Sequence, residues 1–176
     1  MRPGKAFGLK WSDLEGNRIR VQRAVVESQE KGGSTIGEPK TKKSKRTVTL
    51  LESTLHALKA HKAHQGQEIL VAGETYTRQN FIFATPTGGF LNIHAVDTRW
   101  ETCVRNSGLP RITLYGCRHT HATMLLMTGV NPKIVSERLG HASIVITLDT
   151  YSHVLPDMQD EVVAKLGMLT AGSSQT

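Results

Sequence analysis

The hydrophobic pattern of this chain changes once, near Glu52, and that change limits the fold more than any other feature. Before it, Arg18 to Val26 alternate polar and apolar side chains and end in a β-branched pair, which predicts a strand with one buried face. Ser34 to Lys40 and Arg46 to Leu50 are expected to form the two arms of a hairpin. Together these segments predict a small antiparallel three-stranded sheet near the N-terminus.

From Glu52 onward the apolar residues are spaced as in helices. We expect a first helix that begins there and breaks near Gly66. Asparagine, proline and glycine then mark further helix ends. The predicted helices span Asn92 to Asn106, Thr120 to Thr128, Asn131 to Gly140, a short segment around Ile144 to Tyr151, and a terminal segment from Pro156 with an apolar stripe. The fold class is therefore α+β and mostly helical.

Composition restricts the class of protein. With 176 residues and 38% hydrophobic content, we expect one folded domain over residues 1–170 and a flexible tail over 171–176. The net charge of +7 favours an anionic partner. Two cysteines, Cys103 and Cys117, favour neither a disulfide scaffold nor a cysteine zinc site. Without a signal peptide or a membrane-spanning run, we expect a soluble, cytoplasmic protein.

The residues with the clearest chemistry lie in two strings, Leu114 to Thr123 and Leu139 to His153. They contain Arg118, His141 and Tyr151. A fixed cation, a hydrogen-bonding imidazole and a phenol suit the attack of a tyrosine hydroxyl on a phosphodiester.

These strings resemble the tyrosine recombinases of the phage integrase family. There, an arginine is followed by His-Thr, and Leu-Gly-His precedes the nucleophilic tyrosine by about one short helix, as in Leu139-Gly-His141 and Tyr151. The resemblance covers roughly the whole chain. It implies the catalytic domain of that family without its first helices and without the separate N-terminal DNA-binding domain.

The resemblance also implies roles for individual residues. Tyr151 would form a 3′-phosphotyrosyl bond and expel a 5′-hydroxyl, so that rejoining needs neither ATP nor metal nor any other cofactor. Arg118 would hold the two non-bridging phosphate oxygens, and His141 would donate a hydrogen bond to the same phosphate. Lys40, at the hairpin tip, would protonate the leaving oxygen, and Arg2 would be the first catalytic arginine.

Two positions depart from the family pattern. Lys5 stands where the family has a glutamate that would orient Arg2. Tyr115 stands where the family has the histidine of His-x-x-Arg; a phenol can donate a hydrogen bond to a phosphate, but it cannot take up a proton near neutral pH. We still count Tyr115 among the catalytic residues.

The remaining polar residues are assigned to DNA contact or to solvent. The expected DNA-binding residues are Lys42, Lys43, Lys45, Arg46 and His119. The pairs His61/His64 and His119/His121 lack a third ligand, so no metal site is predicted and solvated histidines are expected.

The predicted function is site-specific recombination or integration on duplex DNA, in a prophage or another mobile element, within the bacterial cytoplasm at the nucleoid. The full-length protein would act with other protomers in a synaptic tetramer, whereas the isolated fragment is expected to be a monomer. Two alternatives stay open: a non-catalytic DNA-binding remnant, which Lys5 favours, and a type IB topoisomerase-like strand transferase.

Overall fold

Helices packed against two small sheets make up the part of the chain that this computed structural model describes, namely residues 1–28, 33–37, 45–154 and 163. The helices are α1 (Pro3–Phe7), α2 (Glu52–Ala72), α3 (Ile93–Asn106), α4 (Gly116–Met127), α5 (Pro132–Leu139) and α6 (Ile144–Tyr151). The strands are β1 (Leu14–Glu15), β2 (Arg18–Val21), β3 (Ala24–Ser28), β4 (Gly33–Gly37) and β5 (Arg46–Thr49). The predicted α+β class and the three-stranded antiparallel sheet, in the order β1-β2-β5, are confirmed.

The prediction of one strand from Arg18 to Val26 is wrong, because β2 ends at Val21 and β3 belongs to a second sheet. Along β2, alternate residues are buried, but Ala24 and Val25 are buried as neighbours. A strand with one buried face cannot bury two adjacent side chains, so the chain turns between the two segments.

The predicted hairpin pairing is also wrong within the described residues. Strand β5 pairs with β2, with Val48 opposite Ile19, while β4 pairs with β3. Pairing β5 with β2 brings Val48 onto the apolar cluster that contains Ile19, which explains why the long-range partner is preferred. The predicted hairpin tip, including Lys40, lies outside the described residues.

Two helix ends follow the predicted capping chemistry. Asn92 Oδ1 accepts a hydrogen bond from the Ala95 backbone N–H at 3.2 Å, at the start of α3. Asn131 Oδ1 accepts one from the Lys133 N–H at 2.9 Å, at the start of α5. Helix α5 ends at Gly140, whose φ of 69° lies in the left-handed region.

Helix α2 runs without interruption through Gly66, so the predicted break there is wrong. One glycine inside a helix costs about 1 kcal/mol, which a long helix tolerates. The helix ends instead at Gly73, whose φ is 55°. The predicted terminal helix, with its apolar stripe, lies outside the described residues.

Two apolar cores hold these elements. One contains Leu9, Ile19, Val21 and Ile82 and lies under the three-stranded sheet. The other joins α4, α5 and α6 through Ala122, Leu126, Val135, Leu139 and Tyr151. Within the described residues, no helix is both long enough and apolar enough to cross a membrane.

Candidate active site

The predicted site residues Arg118, His141 and Tyr151 lie where three helices meet. Arg118 is in the first turn of α4, His141 follows the end of α5, and Tyr151 is the last residue of α6. Burial lowers the pKa of His141 and raises that of Tyr151, and the Arg118 guanidinium is close enough to add to the first shift and to oppose the second. The packing of the second core therefore brings the three residues to one place.

Arg118 is a buried cation with only part of its hydrogen-bonding capacity used. The residue is 3% exposed, and its Nη1 donates to the Leu139 carbonyl at 2.8 Å. Its Nη2 is buried and has no hydrogen-bond partner in the described part of the chain. Because an unpaired buried donor on a charged group is costly, this nitrogen is prepared for an added acceptor.

Tyr151 is buried as well, with 3% of its surface exposed. Its Oη lies 2.8 Å from Nδ1 of His119, which is within hydrogen-bonding distance. Burial raises the pKa of the Tyr151 phenol above its ordinary value, and this outweighs the opposite effect of Arg118. The phenol is therefore protonated at neutral pH and must lose its proton if it is to act as a nucleophile.

His141 is neutral in this site. Its Nδ1 lies 2.7 Å from Oγ1 of the buried Thr147. Burial, followed by the charges of Arg118, Arg2 and Arg46, lowers the pKa of His141 to about 4. If Nδ1 accepts from the threonine hydroxyl, Nε2 carries the proton and can donate a hydrogen bond to an anion.

Arg46, predicted to contact DNA, packs against the end of α5. Its Nε donates to the Arg138 carbonyl at 2.9 Å, and its buried Nη1 has no partner among the described residues. A Cβ atom on Gly140 would lie 2.6 Å from Nη1, so Arg46 occupies the space that a side chain there would need. Burial, together with Arg118, Arg2 and Arg138, lowers the pKa of Arg46 to about 10.

Arg138, which the sequence analysis did not single out, connects this region to the sheet. Its Nη1 donates to the Thr49 carbonyl and its Nε to Nε2 of His121, each at 3.1 Å. Burial lowers the pKa of His121, which is therefore not the solvated histidine that was expected. Hydrogen bonds thus join β5 and α5 twice: Arg46 of β5 donates to α5, and Arg138 of α5 donates to β5.

Lys5 is the most unexpected member of the site. It is 8% exposed, and burial followed by the charges of Arg46, Arg2 and Arg118 lowers its pKa to about 8. Arg2 is exposed at the N-cap of α1, and its carbonyl accepts the Lys5 N–H at 3.0 Å. We call Arg2, Lys5, Arg46 and Arg118 the cation cluster; no carboxylate among the described residues forms an ion pair with it.

Tyr115 lies beside Arg118 and His119. Its ring centroid is 5.0 Å from that of His119, in an edge-to-face arrangement. Burial lowers the pKa of Arg118, and Tyr115 is near enough to act against that shift. Tyr115 thus lies against the same histidine as Tyr151, although it is an exposed residue.

Most of the predicted site residues come together, and three lie outside the described residues. Those brought together are Arg2, Arg46, Tyr115, Arg118, His119, His141 and Tyr151. Those outside the described residues are Lys40, Lys42 and Lys43; Lys45 is described and exposed. Among the described residues, no three His, Cys, Asp or Glu side chains come together as metal ligands.

Three features were not predicted from the sequence, namely the burial of Lys5, the contacts of Arg138 and the contact between His119 and Tyr151. The last of these carried a signal in the sequence. His119, Ala122 and Leu126 recur at helical spacing on α4, and the latter two are buried against Tyr151. A histidine on that face should point toward the same core.

The sequence of this chain is similar to a known protein family and to named members of it. Residues 1–158 match the Phage integrase family. The XerC-like tyrosine recombinase of Caldanaerobacter subterraneus subsp. tengcongensis is 36% identical over 96% of this chain, and the prophage integrase IntR of Escherichia coli is 30% identical over 94%. The chain spans 46% and 43% of those two proteins, which is less than half of each.

Two solved structures have a similar fold. The Tn1549 transposon integrase in complex with circular intermediate DNA matches with a TM-score of 0.71 at 23% identity, over 96% of this chain and 56% of that chain. The XerA recombinase matches with a TM-score of 0.62 at 20% identity, over 99% of this chain and 54% of that chain. At these identities the likeness concerns the fold.

Proposed function

Because this chain belongs to the phage integrase family, we propose that it performs site-specific recombination, cutting and rejoining duplex DNA through Tyr151. The observation that carries the proposal is the buried Nη2 of Arg118, which has no partner in the described residues and belongs to a guanidinium near enough to influence the pKa of Tyr151. A non-bridging phosphate oxygen is an acceptor of the charge and size that this donor requires.

In this proposal each residue has a separate task. The Tyr151 oxygen attacks phosphorus and forms a 3′-phosphotyrosyl bond, while the 5′ oxygen leaves. Arg118 stabilises the charge that grows on the non-bridging oxygens, and His141, being neutral, adds a hydrogen bond from Nε2. Because the phosphodiester energy is kept in the covalent bond, attack by a 5′-hydroxyl reverses the step.

Other residues are proposed to assist. Arg2 and Arg46 add positive charge around the phosphate, and Tyr115 donates a hydrogen bond from the side of Arg118. Lys40 is proposed as the acid that protonates the leaving 5′ oxygen. Lys42, Lys43 and Lys45 are proposed to contact the DNA backbone away from the cut.

The wider setting is part of the proposal. We propose that residues 1–170 form the catalytic domain, that the whole protein assembles on DNA with other protomers, and that it works at the bacterial nucleoid. The Tn1549 integrase, which shares this fold, was solved with DNA, and the relatives include bacterial prophage and transposon proteins. These likenesses support duplex DNA as the partner.

The test is the capture of a covalent adduct. The protein is incubated with duplexes that carry a nick next to a randomised region, so that a cut strand is lost and the adduct persists. We expect an adduct that resists denaturant and a label that maps to the peptide containing Tyr151. Tyr151→Phe should form none, while Tyr115→Phe, the matched loss of a neighbouring hydroxyl, should still form it. An adduct in Tyr151→Phe, or a label on Tyr115, would overturn the assignment.

A second candidate is a DNA-binding protein without catalysis, and Lys5 is the observation that favours it. A buried lysine within the cation cluster adds repulsion where Arg2 needs a carboxylate to orient it. Under this reading the wild-type protein retains duplexes in a gel at low salt but forms no adduct. The two candidates therefore differ in one measurement.

A further inference from the structure

We propose that His119 is the catalytic base that accepts the proton of Tyr151 during strand cleavage. This inference rests on the proposed function, since it assumes that Tyr151 attacks a phosphodiester. It gives His119 a role different from the DNA contact expected from the sequence.

The contact between the two side chains is direct. Nδ1 of His119 lies 2.8 Å from Oη of Tyr151, and the ring centroids are 5.7 Å apart. Both residues belong to the packed unit of α4 and α6, because Tyr151 is buried against Ala122 and Leu126, which share a face of α4 with His119. Such packing fixes the geometry of a proton transfer before any substrate arrives.

A buried phenol needs a base if it is to attack at neutral pH. An ordinary tyrosine is about 0.1% ionised at pH 7. Burial at Tyr151 raises the pKa of the phenol further, so the ionised fraction is smaller still. If the proton is removed during the attack, rather than before it, the phenol can react without first being ionised.

The other groups near Tyr151 are poorly suited to take the proton. Arg118 has no site that can accept a proton, and a phenol such as the Tyr115 side chain is a poor proton acceptor. His141 has its Nδ1 against Thr147, and its low pKa of about 4 makes it a weak base. Among the described residues that surround the phenol, His119 is left as the acceptor.

The proton balance of the step is simple. The O–H bond of Tyr151 breaks and its proton moves to Nδ1 of His119 as the phenol oxygen bonds to phosphorus. The bond from phosphorus to the 5′ oxygen breaks, and that oxygen takes a proton from the leaving-group acid, proposed above as Lys40. On rejoining, His119 returns its proton to Tyr151.

The decisive variant is His119→Asn. The asparagine side chain places an amide group near the position of Nδ1, so it can keep the hydrogen bond to Tyr151, but it cannot accept a proton. We expect the rate of adduct formation on the nicked randomised duplexes to fall about 10²- to 10⁴-fold. His64→Asn removes an exposed histidine on α2 and should leave the rate unchanged.

A further measurement separates a base from a structural partner. With a duplex whose leaving oxygen is replaced by sulfur, the leaving group needs no acid, so a defect at the leaving-group acid is rescued and the His119→Asn defect is not.

A test without DNA guards against a variant that folds poorly. In the wild-type protein, ¹⁵N spectra should place the ring proton of neutral His119 on Nε2, because Nδ1 must be free to accept from Tyr151. A neutral ring protonated on Nδ1 would overturn the inference. So would an adduct that forms equally fast in the wild type and in His119→Asn. A wild-type protein that forms no adduct overturns the proposed function, and the base role of His119 falls with it.

Discussion

Two regions of the described structure bury charged side chains, and they differ in whether the charge has a counter-ion. Asp13 is 2% exposed and fully partnered: it accepts the Lys10 N–H at 2.8 Å, pairs with Arg23 and receives Gln22 Nε2 at 3.3 Å. Lys5 and Arg118 of the cation cluster are also buried, but no member of the cluster pairs with a carboxylate among the described residues.

The difference separates charge that holds the fold from charge that awaits a ligand. The carboxylate of Asp13 is neutralised within the chain, so its burial is compatible with stability. Burial, followed by the charges of neighbouring cations, lowers the pKa values of Lys5 and Arg46, and the cation cluster gains its counter-charge from an added anion. Repulsion between buried cations is therefore expected at the place where this protein binds an anion.

The largest expected effect comes from breaking the partnered charge. Asp13→Ala leaves Arg23 half-buried without a counter-ion, so the free energy of unfolding should fall by about 3–5 kcal/mol, measured by urea denaturation. Glu15→Ala removes an ion pair to Arg20 that is exposed and should cost no more than about 1 kcal/mol. Equal losses in the two variants would contradict a stabilising role for the buried Asp13 carboxylate.

Arg118→Lys tests the other region by keeping the charge and removing the guanidinium fork. We expect the single-turnover rate of adduct formation to fall about 10²- to 10³-fold, equivalent to about 3–4 kcal/mol of transition-state stabilisation. The unfolding free energy should change far less than in Asp13→Ala. A variant that cleaves at the wild-type rate would show that the unpartnered Nη2 has no catalytic use.

Lys5→Met should stabilise the protein, because it removes a buried cation from a cluster of like charge. The pKa of Lys5 is about 8 in the folded protein and 10.5 when unperturbed, so folding is penalised in full below pH 8 and not at all above about 10.5. We expect a gain of about 1–2 kcal/mol at pH 7 that shrinks as pH rises through that window.

Denaturation curves at pH 7 and at pH 10 measure this gain, with Lys5→Arg as the control that keeps the charge. Lys5→Arg should give no stabilisation at either pH. A gain of the same size at both pH values would mean that Lys5→Met acts through packing and not through charge.

The smallest expected effect concerns DNA affinity. We expect weak binding to duplex DNA with little sequence preference, falling steeply as salt is added. Arg46→Met should lower the slope of log affinity against log salt by about one, because one phosphate contact is lost. Arg20→Met removes a charge that Glu15 already matches, so its slope should stay at the wild-type value.

Local chemistry in the sequence was sufficient to predict much of the helical half. Asn92, Asn131 and Gly140 act at helix ends through their own side chains or backbone, so their effect can be read within a few residues. The convergence of Arg118 and Tyr151 followed from the family resemblance, which fixed their spacing and not their environment.

The features that were missed depend on contacts between distant segments. The pairing of β5 with β2 is decided by the core that Val48 and Ile19 share, and nothing near either strand encodes it. The burial of Lys5 likewise requires α1 to lie close to Arg46 and Arg118. A short window of sequence cannot show which charges will be brought near each other.

The hydrogen bonds by which Arg46 and Arg138 join β5 to α5 have a consequence for the order of folding. They span 92 and 89 positions, whereas α4, α5 and α6 are neighbours along the chain. Because short loops close at lower entropic cost, we expect those three helices to pack first and the sheet to dock on them later. The nucleophile and its histidine would then be in place before Arg46 and Lys5 arrive, and electrostatic repulsion would enter only at the final docking step.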